Sequence, residues 1–170
     1  VFGGAVILGT RARKTYSKSF GAFSSINYPA LGMVQDGRLV PYFPTPAPTG
    51  PIFYESLDEN VALLKLIPGA SPAQLSFLLK ENHAVIIESY GVGGVPAGDQ
   101  GEFYDRIRQA VSGGKIVAVT TQVQNEGSDL SIYSVGHRLK SDLGVLESDD
   151  MTTEAMVAKL MWALALTKDP

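Results

Sequence analysis

The stretch that decides the fold is His83-Ala84-Val85-Ile86-Ile87-Glu88-Ser89-Tyr90-Gly91, which contains four consecutive apolar residues, Ala84 to Ile87. Such a short apolar run, rich in β-branched residues and followed by glycine, predicts a buried strand. Two similar segments lie on either side of it in the chain, Val61 to Leu66 and Ile116 to Val119. Apolar runs of this kind are typical of strands in a parallel sheet that is covered on both faces.

Helical patterns separate these strands. Ser71 is suited to cap a helix and Pro72 to occupy its first position, while Leu75, Leu78 and Leu79 form one apolar face. The same reasoning predicts a short strand at Val145-Leu146, a cap at Asp150, and three more helices at Phe103–Val111, Tyr133–Leu143 and Met151–Leu166. The alternation indicates an α/β fold: a parallel sheet with helices on both faces. Ligands of such sheets bind at the carboxyl ends of strands, at a switch point in strand order, so the loops 88–99 and 120–130 are the candidate site.

The residues before the first of these strands have a different character. Val1 to Gly9 predicts a strand, and Asp36-Gly37 between apolar pairs predicts a hairpin. Four prolines follow within Pro44-Thr-Pro-Ala-Pro-Thr-Gly-Pro51, which cannot continue a helix or a central strand. The sequence therefore predicts a first body at residues 1–43, a stiff linker at 44–58 and a second body at 59–170.

Composition narrows the possible functions. The 170 residues carry 14 basic and 17 acidic side chains, with no basic run, so we expect no nucleic-acid partner. No apolar stretch reaches the roughly 18 to 20 residues that span a bilayer, so we expect no membrane partner. The chain has no cysteine, which excludes disulfides, cysteine nucleophiles and thiolate metal sites.

The glycine-rich stretch 91–94 after the central strand has two interpretations. It could cradle a phosphate, but Pro96 occupies the third glycine position of the dinucleotide pattern and no Gly-Lys-Ser/Thr follows. We favour a tight turn that packs against another domain or subunit. The two histidines, His83 and His137, have no clustered partners in sequence and are interpreted as structural.

An acidic run and one lysine are further candidates for a functional role. The acidic residues Glu147, Asp149 and Asp150 could bind a cation, but helix capping is favoured. Lys14 follows a basic turn, and from its sequence surroundings alone it is a solvated charge with no assigned role.

Several motifs, taken in order, resemble the L-asparaginase family, in its cytoplasmic bacterial and archaeal branch. The resemblance covers essentially the whole chain. It rests on Gly9-Thr-Arg-Ala-Arg-Lys14, Phe20-Gly-Ala-Phe-Ser-Ser-Ile-Asn-Tyr-Pro29, Tyr90-Gly-Val-Gly-Gly-Val-Pro96, Thr121-Gln122, Glu126-Gly-Ser128, Tyr133 with Gly136, and Asp150 through Trp162.

The resemblance implies a two-domain protein that hydrolyses L-asparagine to L-aspartate and ammonia without a metal or organic cofactor. A threonine near the N-terminus of the family's proteins is the nucleophile, and a second threonine, in a Thr-Asp-Thr motif, works with a lysine that Lys14 matches. Neither threonine motif occurs in these residues. We therefore expect a C-terminal half: residues 1–43 as the tail of the N-terminal catalytic domain, and a chain that is inactive without the N-terminal half.

The resemblance also implies a site formed between subunits of a cytoplasmic homodimer or homotetramer. Tyr133 matches a tyrosine that faces the neighbouring subunit's substrate, and the turn around Gly94 lies at the same contact. Some relatives carry asparagine at the position of Gly94, so a side-chain role there is in doubt. A half-buried tyrosine at a helix start is the alternative for Tyr133.

Two alternative functions remain open. The related amidotransferase subunit that acts on glutamine for glutamyl-tRNA shares this core. The chain could also be a non-catalytic assembly module that completes a partner subunit's site.

Overall fold

The computed structural model describes residues 1–44, 49–96 and 101–167. The chain divides into two compact units, Val1–Glu55 and Ser56–Pro170. Residues 45–48 of the predicted linker and residues 97–99 of the predicted loop lie outside the described residues.

The first unit consists of short antiparallel strands: β1 (Ala5–Val6), β2 (Ala12–Lys14), β3 (Phe23–Ser25), β4 (Gly32–Gln35) and β5 (Arg38–Pro41). They form a three-stranded sheet in the order β1-β4-β5 and a separate β2-β3 ladder. The predicted hairpin is confirmed, because β4 and β5 pair around Asp36-Gly37. Both turn residues have positive φ, 49° and 72°, as the turn types that suit hairpins require.

The prediction of a strand from Val1 to Gly9 is correct in type but wrong in extent, because within it only Ala5–Val6 is a strand. Gly3 and Gly4 adopt positive φ, and Phe2 and Ala5 exchange two backbone hydrogen bonds of 3.0 Å across them. Glycine makes this tight turn accessible, and the turn interrupts the extended chain. After β1 the chain forms a 3-10 turn at Gly9–Arg11.

The first unit buries little apolar surface of its own. Among its described residues the buried apolar side chains are Ala22 and Ile26. The rings of Phe2, Phe20 and Phe23 cluster, with centroids 5.5 and 5.1 Å apart, yet Phe20 is 83% exposed. A unit with so small a core leaves apolar surface available for another partner.

The second unit is built on a sheet of β6 (Val61–Lys65), β7 (Ala84–Ser89), β8 (Ile116–Thr121) and β9 (Leu146–Glu147). All neighbouring strands pair in parallel, in the sequential order β6-β7-β8-β9. Its helices are α1 (Pro72–Glu81), α2 (Glu102–Ser112), α3 (Ser134–Leu143) and α4 (Thr153–Leu166). The predicted α/β architecture is confirmed.

Alternate residues of the strands enter two separate cores. Val85 and Ile87 of β7 pack with side chains from α1, α2 and α3. Ala84 and Ile86 pack instead with the α4 residues Met156, Leu160 and Leu164. This two-residue alternation of strands places three helices on one face of the sheet and α4 on the other, so the prediction of helices on both faces is confirmed.

One helix cap is as predicted and another is not. Ser71 forms a capping box with Gln74 at the start of α1. Asp150 does not cap α4: the Thr152 hydroxyl accepts a 3.1 Å hydrogen bond from the Ala155 amide, and the helix begins at Thr153. The chain still turns before that point, with φ of 48° at Asp149. The acidic residues therefore lie too far before Thr153 in the chain to occupy the cap position. No helix in the described part of the chain has the length and apolar character needed to cross a membrane.

Candidate functional site

The loops after β7 and β8 begin side by side at the carboxyl edge of the sheet, where Ser89 pairs with Thr121. Ligands of parallel sheets bind at this edge. The expectation of a switch point is wrong, because the described strands follow one another in sequence order without a reversal. This edge therefore forms one wall, and a crevice would require a second surface from outside the sheet.

The glycine turn, residues 91–94, follows β7 after Tyr90. Gly91, Gly93 and Gly94 all have positive φ, at 50°, 131° and 112°. A Cβ at Gly93 would lie 2.9 Å from Cδ2 of Leu130, whereas one at Gly94 would meet no atom within 4 Å. The absence of a side chain thus allows close packing at Gly93, and at Gly94 leaves the backbone open to solvent or to a ligand.

Two bonds from outside hold the glycine turn. The hydroxyl of Thr121 donates to the carbonyl oxygen of Gly91 and accepts a 3.0 Å hydrogen bond from the Val123 amide. The Asp129 amide donates to the carbonyl oxygen of Val92 at 2.6 Å. The loop after β8 therefore fixes the loop after β7.

Gln122, the next residue, ties the strand ends together. Its carboxamide donates to the carbonyl oxygens of Leu66 at 2.6 Å and Glu88 at 3.1 Å. These carbonyls belong to the end of β7 and to the residue after β6. The Thr121-Gln122 motif accordingly organises the carboxyl edge of the sheet.

Tyr133 lies at the start of α3, the helix that follows the loop after β8. It precedes α3, and its carbonyl oxygen accepts a 2.9 Å hydrogen bond from the His137 amide. Its side chain is 61% exposed in this chain. Leu130, which is 1% exposed, packs against both Gly93 and Gly136 of α3. One buried side chain thus joins the glycine turn to the start of α3.

Sequence reasoning missed a buried polar cluster at this edge. Glu88 is 5% exposed; one carboxylate oxygen lies 3.0 Å from Nζ of Lys65, and the other accepts a 3.1 Å hydrogen bond from the Thr153 hydroxyl. The Thr120 hydroxyl lies 3.4 Å from that of Thr153. An acid directly after the apolar run Ala84–Ile87 was the available signal, since a buried carboxylate requires partners.

The loop before Tyr133 is shaped by Asp129. Hydrogen bonds from the Ser131 hydroxyl at 2.5 Å and the Ser131 amide at 2.9 Å lower the pKa of the Asp129 carboxyl. Because the folded form has the lower pKa, this contribution to stability is lost only as pH falls through that lowered value. The hydrogen bond from Lys140 to Glu147, at 2.6 Å, raises the pKa of the lysine in turn.

Lys14 belongs to the first unit. It is the last residue of β2, pairs with Phe23 and is exposed. Next to it, the hydroxyls of Thr15 and Ser24 lie 2.8 Å apart, which links the two strands beyond their backbone bonds. No described side chain forms an ion pair or a hydrogen bond with the Lys14 ammonium group.

The two histidines are at the surface. His83 Nδ1 lies 2.9 Å from the Asp58 carboxylate, and His137 is exposed on α3. Within the ranges that the structure describes, no three histidine, aspartate or glutamate side chains converge as metal ligands would.

A sequentially ordered parallel sheet, with a glycine turn and an exposed tyrosine at its carboxyl edge, defines an α/β domain with a candidate site at that edge. Residues 60–170 match the model of the glutaminase/asparaginase C-terminal domain. The chain belongs to this family.

Curated relatives match almost the entire chain. It is 39% identical over 165 residues to an L-asparaginase of Thermococcus kodakarensis, a match that covers 96% of the chain and 49% of the relative. It is 32% identical over 168 residues to a glutamyl-tRNA(Gln) amidotransferase subunit of Pyrococcus furiosus, covering 95% of the chain and 37% of the relative. The chain therefore spans half or less of the length of these relatives.

Two solved structures are similar over the same extent. The thermostable L-asparaginase from Thermococcus kodakarensis matches with a TM-score of 0.90 and 36% identity, over 99% of this chain and 51% of that one. L-asparaginase I from Vibrio cholerae matches with a TM-score of 0.82 and 28% identity, over 97% of this chain and 50% of that one.

Proposed function

We propose that this chain is the C-terminal part of an L-asparaginase, which hydrolyses the side-chain amide of L-asparagine to L-aspartate and ammonia. The observation that carries the proposal is the 39% identity to an L-asparaginase across 96% of the chain, because it includes the first unit as well as the family domain. The threonine nucleophile belongs to an N-terminal half with which this chain assembles.

Lys14 is the catalytic residue that this chain supplies. In the family that the chain resembles, the lysine matched by Lys14 helps a neutral threonine hydroxyl to accept and relay a proton. A poor nucleophile is activated in this way. Such a role requires a lysine that is desolvated or paired. The exposed apolar surface of the first unit supports the view that residues 1–43 complete a larger N-terminal domain, which would also cover Lys14.

Tyr133 and the turn at Gly94 face the active site of a neighbouring subunit in a homodimer or homotetramer. Two features support this placement: the carboxyl edge of the sheet forms only one wall, and the Tyr133 side chain is 61% exposed. With no side chain at Gly94, the contact there comes from backbone. A cytoplasmic location is proposed on the resemblance to the cytoplasmic branch of the family.

Ammonia release from L-asparagine tests the proposed function. The chain is assayed alone, and again after joining to the N-terminal half of the Thermococcus kodakarensis L-asparaginase in place of that relative's matching segment. We expect no release by the chain alone and release by the joined protein. Release by the chain alone would show that the nucleophile lies in these residues, and would overturn the assignment.

The main competing function is that of an amidotransferase subunit acting on glutamine for glutamyl-tRNA. It is supported by the 32% identity to the amidotransferase relative from Pyrococcus furiosus, which extends over 95% of the chain. The joined protein distinguishes the two when L-asparagine and L-glutamine are compared, with and without glutamyl-tRNA and the partner amidotransferase subunit. Glutamine hydrolysis that depends on the tRNA would select the amidotransferase. A stable assembly without activity on either amide would select the non-catalytic assembly module.

Replacing Tyr133 with phenylalanine in the joined protein tests the placement of this residue. We expect KM for L-asparagine to rise by about tenfold to a hundredfold, because one hydrogen bond to a charged substrate group is worth roughly 1.5–3 kcal/mol. Tyr104→Phe is the matched control, since Tyr104 lies on α2 and stacks on Arg138, with 4.5 Å from guanidinium carbon to ring centroid. Unchanged kinetics for Tyr133→Phe would return this residue to a structural role.

The proposed domain limit at residue 59 predicts that segment 59–170 unfolds cooperatively. Asp58 nevertheless contacts this domain: its amide donates to the Met161 carbonyl oxygen at 2.9 Å, and its carboxylate lies 2.9 Å from His83. We therefore expect segment 56–170 to be more stable than 59–170 by about 1 to 2 kcal/mol in urea unfolding, because it keeps two hydrogen bonds of about 0.5–1.5 kcal/mol each. A broad, non-cooperative transition of both segments would contradict the domain limit.

A further inference from the structure

We propose that Thr121 is a positioning residue, whose hydroxyl holds the glycine turn in the form that completes the neighbouring subunit's site. The effect on substrate rests on the proposed function, whereas the hold on the turn does not. Thr121 does not itself touch substrate in this proposal; it acts through the backbone of residues 91–94.

The geometry gives the hydroxyl a defined direction. Thr121 is the last residue of β8 and is 4% exposed. Its oxygen accepts from the Val123 amide at 3.0 Å, which orients the hydroxyl to donate to the Gly91 carbonyl oxygen. Both hydrogen-bonding roles of the group are thus used, and the rigid β8 strand becomes the reference for the turn.

The glycine turn needs such an external restraint. Three of its four residues are glycine, which lose more conformational freedom on ordering than other residues. Within the turn, the Gly93 amide bonds to the Tyr90 carbonyl oxygen at 3.1 Å. The Asp129 amide holds Val92, and the Thr121 hydroxyl provides the side-chain bond to Gly91.

The position of the turn also bears on Tyr133. Leu130 fills the space left by the missing side chains of Gly93 and Gly136, and Gly136 lies one helical turn after Tyr133. A shift of the turn would change the surface against which Leu130 packs. Thr121 therefore positions both elements that the proposed function assigns to the substrate.

Hydrogen exchange in the 170-residue chain tests the hold on the turn. We expect Thr121→Val to accelerate exchange in peptides covering residues 88–96 by about tenfold, since the variant loses one hydrogen bond but keeps the shape of the side chain. Thr121→Ser keeps the hydroxyl and should restore slow exchange. Equal exchange in the Val variant and the parent would overturn the proposal.

Kinetics of the joined protein test the effect on substrate. We expect Thr121→Val to raise KM for L-asparagine by about tenfold while kcat changes by less than about twofold, because binding is weakened and the chemical groups are intact. Thr121→Ser should return KM to the parent value. A looser turn with unchanged KM would overturn the positioning role. A parent protein that releases no ammonia would instead overturn the proposed function.

Thr152→Val is the matched control. Thr152 is also 4% exposed, and its hydroxyl accepts from the Ala155 amide at the start of α4, without contact to the glycine turn. We expect this variant to be less stable but to keep the parent's KM and the parent's exchange in residues 88–96. An equal rise in KM would attribute the Thr121 effect to general destabilisation and overturn the proposal.

Discussion

Replacing Lys14 with alanine in the joined protein is expected to lower kcat for L-asparagine by about a hundredfold to ten-thousandfold, the range in which positioned acid–base groups act. The side chain is exposed at the end of β2 and makes no described ion pair, so its loss removes little folding energy. The measurement is steady-state ammonia release, together with a urea unfolding curve for the same protein.

Lys18→Ala provides the control for Lys14→Ala. Lys18 is another exposed lysine of the first unit, four positions further along the chain. Its removal changes the net charge by the same amount and should leave turnover at the parent level. Near-normal turnover in Lys14→Ala, or an equal loss in both variants, would remove Lys14 from the proposed chemistry.

Replacing Gly127 with alanine is expected to lower the free energy of unfolding of the chain by about 3 kcal/mol, from overpacking and a disfavoured left-handed backbone. Gly127 has φ of +79°, and a Cβ there would overlap the Asp149 carbonyl oxygen and lie 2.8 Å from Cα of Asp150. Backbone atoms cannot yield as a flexible side chain can. The Ser128 amide also bonds to the same Asp149 oxygen at 2.8 Å, so the two loops cannot separate freely.

Gly69→Ala separates the two contributions. Gly69 has φ of +80°, but a Cβ there would meet no atom within 4 Å. We expect a loss of only about 1 kcal/mol, due to the backbone conformation alone. Urea unfolding of the two variants measures the difference. Equal losses would show that the contact with residues 149 and 150 does not limit the packing at Gly127.

Sequence patterns predicted the central strands well because apolar runs of β-branched residues have few other uses in a globular chain. They placed the end of β8 too early, at Val119, since Thr120 and Thr121 are polar. Both are nevertheless buried, and their hydroxyls find partners in Thr153 and in the glycine turn. Burial of a polar residue depends on a partner that local sequence does not identify.

Some residues of the candidate site were predicted from the sequence, whereas the contacts of others are visible only in the structure. Motif resemblance singled out Lys14, Gly94 and Tyr133, and their roles stay predictions until the variants are measured. The motif Thr121-Gln122 was also part of the resemblance, but no role followed from it. Only the structure shows that the carboxamide of Gln122 and the hydroxyl of Thr121 donate to carbonyl oxygens of neighbouring segments.

By itself, the sequence determined the α/β class, the parallel sheet, the helices on its two faces and the hairpin at Asp36-Gly37, because each depends on periodicity or turn chemistry within a few residues. Only the tertiary structure decided the strand order, the cap at Thr152 and the bond from Thr121 to Gly91, which joins residues 30 positions apart. The strand order and the bond to Gly91 depend on contacts between distant segments, which form only when the sheet brings its strands together. The cap at Thr152 is a local bond, but which of the residues before α4 accepts it depends on the path of the chain, which still turns at Asp149.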